Sequence, residues 1–108
     1  MEKTLKELCE ELGVSRRAIQ GYEKVGLVYP SARTAQGYLL YDEEAQKKIQ
    51  MIHFYQELGF SRKEIAQLFD VPEEILKEKM KKKLEDLRRK RDHIIILIEN
   101  VEERIRRL

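Results

Sequence analysis

Beyond Pro72 the chain contains neither glycine nor proline, and that one feature dictates how a third of it must fold. Glycine and proline are the residues that end helices, so residues 72–108 read as a single uninterrupted helix. Some 36 residues at a rise of 1.5 Å each make a rod about 55 Å long. Glu73 and Glu74, directly behind Pro72, suit its start, since proline is tolerated in a first turn and acids are favoured there. From Met80 onward a seam recurs at alternating spacings of four and three: Met80, Leu84, Leu87, Arg91, Ile94, Ile98, Val101, Ile105 and Leu108. Only Arg91 interrupts its apolar character, and Ile95, Ile96 and Leu97 widen the stripe. A lone helix does not tolerate so much apolar surface in water, so the expectation is a homodimer joined through the eight apolar seam residues. Lys81–Lys83 and Arg88–Arg91 alternate with Glu78, Glu85, Asp86 and Asp92, which reads as solvated flanks carrying helical ion pairs.

Ahead of Pro72 the pattern breaks into short helices. Thr4 and Glu7 have capping-box spacing, followed by a stripe of Leu5, Leu8 and Leu12. Gly13 stops that helix, and Ser15 is a good N-cap for a second one running to about Lys24, which Gly26 ends. Pro30, Gly37 and the polar residues around them predict a loop or small β-hairpin over Tyr29–Tyr41. Asp42 caps a third helix with Ala45, Ile49, Ile52, Tyr55 and Leu58 as its apolar residues, ended by Gly59. Ser61 and Glu64 open a fourth, with Ile65, Leu68 and Phe69 predicted to face inward. Leu12-Gly13-Val14-Ser15-Arg16 and Leu58-Gly59-Phe60-Ser61-Arg62 echo one another, two uses of the same helix–turn–cap solution.

Composition excludes several classes. Charged residues are 39% of the 108, and no run approaches the roughly 20 apolar residues that span a bilayer. The first residues carry acids and no apolar core, so no secretory signal is visible, and a cytoplasmic protein is expected. A single cysteine rules out an internal disulfide. No Gly-rich phosphate loop, nucleophile–base pair or metal-binding His/Glu helix is present, which argues against an enzyme, a cofactor and a metal site. Net charge is only +2, but between Leu12 and Tyr41 Arg16, Arg17, Lys24 and Arg33 face a single carboxylate, Glu23. That local excess suits a nucleic-acid surface.

The first echo unit has the layout of a helix-turn-helix: a small residue at the crossing, Cys9; a turn glycine, Gly13; and an aliphatic anchor on the second helix, Ile19. Arg16, Arg17 and Gln20 are then exposed near the start of the second helix, with side chains able to meet guanine edges, adenine edges or phosphates. The further run Tyr22-Glu23, Gly26-Leu27, Pro30, Arg33, Gly37-Tyr38, Tyr41, Leu58-Gly59-Phe60-Ser61 and Glu64-Ile65 resembles the MerR family over about the first 70 residues. The resemblance implies a mainly α fold: a winged helix-turn-helix (residues 1–70) with a small β-hairpin wing, then a dimerisation helix (71–108) forming an antiparallel coiled coil, with no effector domain. It places Arg16 and Arg17 on a recognition helix and implies sugar-phosphate contacts for Tyr22, Arg33 and Tyr38. Arg62 and Lys63 follow at a second wing-like turn. The expected DNA-binding set is thus Ser15, Arg16, Arg17, Gln20, Tyr22, Lys24, Arg33, Tyr38, Arg62 and Lys63. Tyr41 reads as a packing residue of the hairpin.

Two departures stand out. Many family members have Arg-Tyr where this chain has Gln20-Gly21, and an arginine where it has Leu39. Fewer phosphate contacts weaken binding to every sequence and flatten its salt dependence. The resemblance implies a homodimeric regulator on a pseudo-palindromic promoter site in double-stranded DNA, distorting the duplex and acting on RNA polymerase. The alternative from another class is a DNA-architectural or protein-binding adaptor that uses the same winged helix-turn-helix.

Overall fold

The computed structural model describes all 108 residues and divides them into two compact units, Met1–Asp70 and Val71–Leu108. The first holds strand β1 (Lys3–Thr4), helices α1 (Leu5–Leu12) and α2 (Arg16–Lys24), strands β2 (Ala32–Arg33) and β3 (Leu39–Tyr41), and helices α3 (Glu43–Glu57) and α4 (Arg62–Leu68). The second is helix α5 (Glu73–Arg107). This is the mainly helical winged helix-turn-helix architecture with a long C-terminal helix that the residues predict.

Local chemistry sets the boundaries. The Thr4 side chain accepts from the Glu7 amide while Glu7 Oε1 accepts from the Thr4 amide at 3.1 Å, so two orphan amides at the start of α1 are satisfied reciprocally. Ser61 and Glu64 repeat the box at α4. Ser15 and Asp42 cap α2 and α3 by accepting from Ala18 and Ala45 amides at 3.0 and 2.8 Å. Gly13 sits at φ 67°, ψ 25°, and its amide donates to the Cys9 carbonyl, closing the turn between α1 and α2 in the left-handed region that glycine favours. Pro72 stands one position before the predicted place, as the residue preceding α5 rather than its first.

Hydrogen bonds from its Thr4 partner, the backbone amide first and then the hydroxyl, hold the Glu7 carboxyl below its ordinary value of 4.5. A depressed carboxyl stabilises the fold above its unfolded pKa, and that contribution disappears as pH falls through the lowered folded value. Glu7→Gln is therefore expected to lower the melting temperature at neutral pH, with the two melting curves converging in acid. A constant gap across the titration would show that charge on Glu7 contributes nothing.

The hairpin expected over Tyr29–Tyr41 is present, but the sheet has a third member. β3 is central, pairing antiparallel with β2 (Ala32 opposite Leu40) and with β1 (Lys3 opposite Tyr41). The core under this sheet consists of Leu5, Leu8, Val14, Ile19, Tyr22, Leu27, Val28, Tyr41, Ala45, Ile49, Ile52, Tyr55, Phe60, Ile65 and Leu68, all buried. Phe69 departs from expectation. It is 37% exposed, with one ring edge against Tyr55 and the Lys48 ammonium 5.0 Å from its centroid. It follows the last helical residue of α4, so extending the inward stripe to it carries the helical period one step too far.

In α5 no residue is buried. Leu84, Leu87, Ile94, Ile98, Val101, Ile105 and Leu108 are exposed along it, and Met80 is half-buried. The charged flanks pair within the helix as expected: Lys81 with Glu78, and Arg89 with both Glu85 and Asp86. No helix of the structure is long and apolar enough to cross a membrane.

Candidate nucleic-acid interface

α2 is amphipathic, and its two faces have separate tasks. Ile19 and Tyr22 point into the core with no exposed surface, while Arg16, Arg17, Gln20 and Lys24 lie in solvent. Arg16, Arg17 and Gln20 fall in the first five residues after the Ser15 cap. The Ser15 oxygen already accepts from the Ala18 amide, which leaves its hydroxyl proton free to donate outward. α2 thus presents guanidinium and amide donors from a rigid element rather than a loop.

The wing is braced by its own hydrogen bonds. The Thr34 amide donates to the Tyr38 carbonyl (2.8 Å), the Gly37 amide to the Thr34 carbonyl (2.9 Å), and the Tyr38 amide to the Thr34 hydroxyl (3.0 Å). Arg33 Nη1 donates to the Gly37 carbonyl at 3.0 Å, which keeps its guanidinium at the wing tip. Tyr38 is 66% exposed beside it, whereas Tyr41 is fully buried, so one tyrosine of the hairpin is offered to solvent and the other packs. Arg16 and Tyr38, with Lys6, Gly37 and Leu39, line a groove of about 420 Å³ between α2 and the wing. Lys6 was not singled out in the sequence; it lies on the outward side of α1, where a lone lysine carries no pattern.

Two buried tyrosines fix how α2 is held. The Tyr22 hydroxyl donates to Gln56 Oε1 of α3 at 2.7 Å, and the Tyr41 hydroxyl donates to Glu23 Oε1. Burial, more than the neighbouring Glu23, pushes the Tyr41 phenol well above the usual tyrosine range. Burial also raises the Tyr22 phenol, with Arg62 opposing. The sugar-phosphate contact implied for Tyr22 therefore meets a side chain with no exposed surface and a hydroxyl already engaged. Its role in this structure is to tie α2 to α3. Glu23 and Gln56 are the residues that sequence reasoning missed here, since each partner is remote in the chain.

Arg62, in the first turn of α4, reaches α2. Its Cζ lies 5.8 Å from the centroid of the Tyr22 ring, and its guanidinium fills the space beside Gly21. Lys63 is exposed in the same turn and Lys24 in the last turn of α2; neither lines the groove between α2 and the wing. No group of three or more His, Cys, Asp or Glu residues comes together in a way that could hold a metal ion.

Residues 3–71 match the family described as MerR HTH family regulatory protein. The HTH-type transcriptional activator mta of Bacillus subtilis is 31% identical over 102 residues, an alignment that covers 94% of this chain but only 40% of that protein. The mercuric resistance operon regulatory protein of Bacillus cereus is 33% identical over 102 residues, covering 82% of this chain and 77% of that one. Among solved structures, a MerR-family transcriptional regulator from Bacillus cereus superimposes with a TM-score of 0.74 at 26% identity, over 95% of this chain and 79% of its own. A capped recognition helix, a braced wing and a family match across more than half the residues agree: the chain belongs to the MerR family of helix-turn-helix, DNA-binding transcriptional regulators.

Proposed function

We propose that the chain acts as a homodimer on a pseudo-palindromic promoter site, reading base edges with Arg16, Arg17 and Gln20 and distorting the duplex so that RNA polymerase engages it differently. The observation that carries this reading is the shared groove. Arg16 on the recognition helix and Tyr38 on the wing line one surface, so major-groove and backbone contacts arise from a single rigid unit. Arg33 at the wing tip and Lys6 on α1 add cations around it. The uncovered seam of α5 supplies the second element, since two chains joined there in an antiparallel coiled coil carry two recognition helices related by a two-fold axis. Symmetric sites follow from symmetric proteins. The two relatives named above are a transcriptional activator and an operon regulatory protein, which agrees with this assignment.

Selection of genomic fragments by the purified protein, followed by footprinting, tests the proposal. A two-fold-symmetric protected site overlapping a promoter is the expected result, and position-dependent mobility of circularly permuted fragments would report the distortion. Weak protection without sequence preference would assign the chain an architectural role instead. Within a selected site, replacing Arg16 or Arg17 by alanine is expected to cost about 1–3 kcal/mol of binding for each arginine that meets a base edge. Both side chains are exposed, so thermal stability should hold. Unchanged affinity in the double variant would remove α2 as the reading element.

A further inference from the structure

Four of the five glycines occupy left-handed backbone, where other residues are strained: Gly13, Gly26, Gly37 and Gly59. Gly21 does not. It lies inside α2 with ordinary helical geometry, where alanine is the better helix former. What the position lacks is room. A Cβ built on Gly21 would lie 2.5 Å from Arg62 Nη2 and 2.7 Å from both Arg62 Cζ and Nη1. The guanidinium of an α4 residue thus rests on the surface of α2, with the centroid of the Tyr22 ring 5.8 Å from its Cζ. Tyr22 is itself held by Gln56, so the seat has a fixed wall.

The location of this seat gives it a function. Arg17, Gly21 and Lys24 are four and three residues apart and share one stripe of the helix. Arg62, placed over Gly21, stands between Arg17 and Lys24, and together they make a row of three cations. None of the three forms an ion pair: Glu23, beside Lys24 in the sequence, accepts from the Tyr41 hydroxyl, and Glu64, two residues from Arg62, accepts from the Ser61 amide. Like charges lined up without counter-ions are suited to a polyanion whose charges are also spaced in a row.

We propose that Gly21 is a positioning residue: its missing side chain seats Arg62 of α4 on the recognition helix, where the guanidinium meets a DNA phosphate alongside the stripe that carries Arg17 and Lys24. This rests on the DNA-binding reading above. It adds that α4 and α2 address the backbone as one surface, joined through the seat.

The test is a double-mutant cycle with two readouts. Affinity for a mixed-sequence DNA duplex is measured over a range of salt concentrations for the wild type, Gly21→Ala, Arg62→Ala and the double variant. Arg62→Ala should lower affinity several-fold and reduce the slope of log affinity against log salt by about 0.9 for each chain bound. Gly21→Ala should produce a loss of the same kind by displacing the guanidinium, and the double variant should bind no worse than Arg62→Ala alone. A change in salt slope is what a purely structural role for Arg62 would not produce. Thermal melting is the second readout. Gly21→Ala should raise the melting temperature by a few degrees in the Arg62→Ala background and by less in the wild type, because only there does the new methyl meet an occupied seat. Unchanged affinity and slope in Gly21→Ala, or losses that simply add, overturn the proposal. If the wild type itself shows no salt-dependent binding, the DNA reading fails; additive melting shifts overturn the seat regardless of DNA.

Discussion

The wild type is expected to sediment as a dimer of twice the 13.0 kDa chain mass, and replacing Ile94 and Ile98 by glutamate is expected to leave a monomer. Both isoleucines are about half exposed on α5, at 53% and 52%, in the middle of a seam with nothing over it. Covering its eight apolar residues in a dimer, at about 1.5–3 kcal/mol each, amounts to gross stabilisation on the order of 10–25 kcal/mol per chain. Lost translational freedom and side-chain ordering offset much of this, which leaves an association sensitive to small losses. Two carboxylates per chain forced into that seam remove apolar contact and must also be desolvated without partners. Sedimentation equilibrium at micromolar concentration decides the matter. Loss of the dimer should also reduce affinity for a symmetric site by about 10²-fold or more, because the second recognition helix no longer arrives tethered to the first. A monomeric wild type, or a variant that stays dimeric, would show that the seam is not the contact.

The second large effect lies in the helix-turn-helix. Ile19 has no exposed surface and is the aliphatic anchor of α2, in the core that also holds Leu8 and Val14. Truncation to alanine leaves a cavity as well as lost burial and should cost about 2–5 kcal/mol. Small domains have only about 5–15 kcal/mol in total, so the expected fall in melting temperature is about 10 °C or more, with loss of DNA binding as the recognition helix loosens. Arg17→Ala, two residues away and exposed, provides the contrast: its stability should change by no more than about 0.5 kcal/mol. An Ile19→Ala protein that melts within about 3 °C of the wild type would falsify the role given to this residue.

The parts legible in the sequence were those whose chemistry is local. Thr4 with Glu7, Ser61 with Glu64, and the caps Ser15 and Asp42 each satisfy amides three residues away, so residue type and spacing suffice to place them. The seam of α5 was legible for the same reason, since its period is written along one element. β1 was not, because two residues cannot display a strand's alternation and Thr4 already reads as a cap. Nor were the links that hold α2 in place. Tyr22 and Gln56 are 34 residues apart, Tyr41 and Glu23 are 18 apart, and each pair exists only once helices and sheet have packed. The exposed cations of α2 could be listed from helical phase alone. The contact of Arg62 with that helix depends on α4 docking beside Gly21, which no spacing within either element encodes.

The central position of β3 has a mechanical consequence. It is hydrogen-bonded on one edge to the strand that leads straight into α1 and on the other to the wing, and its last residue, Tyr41, is pinned to α2 through Glu23. The wing is therefore coupled to the root of the first helix and to α2 through one shared strand, so a force applied at its tip would load all three elements together.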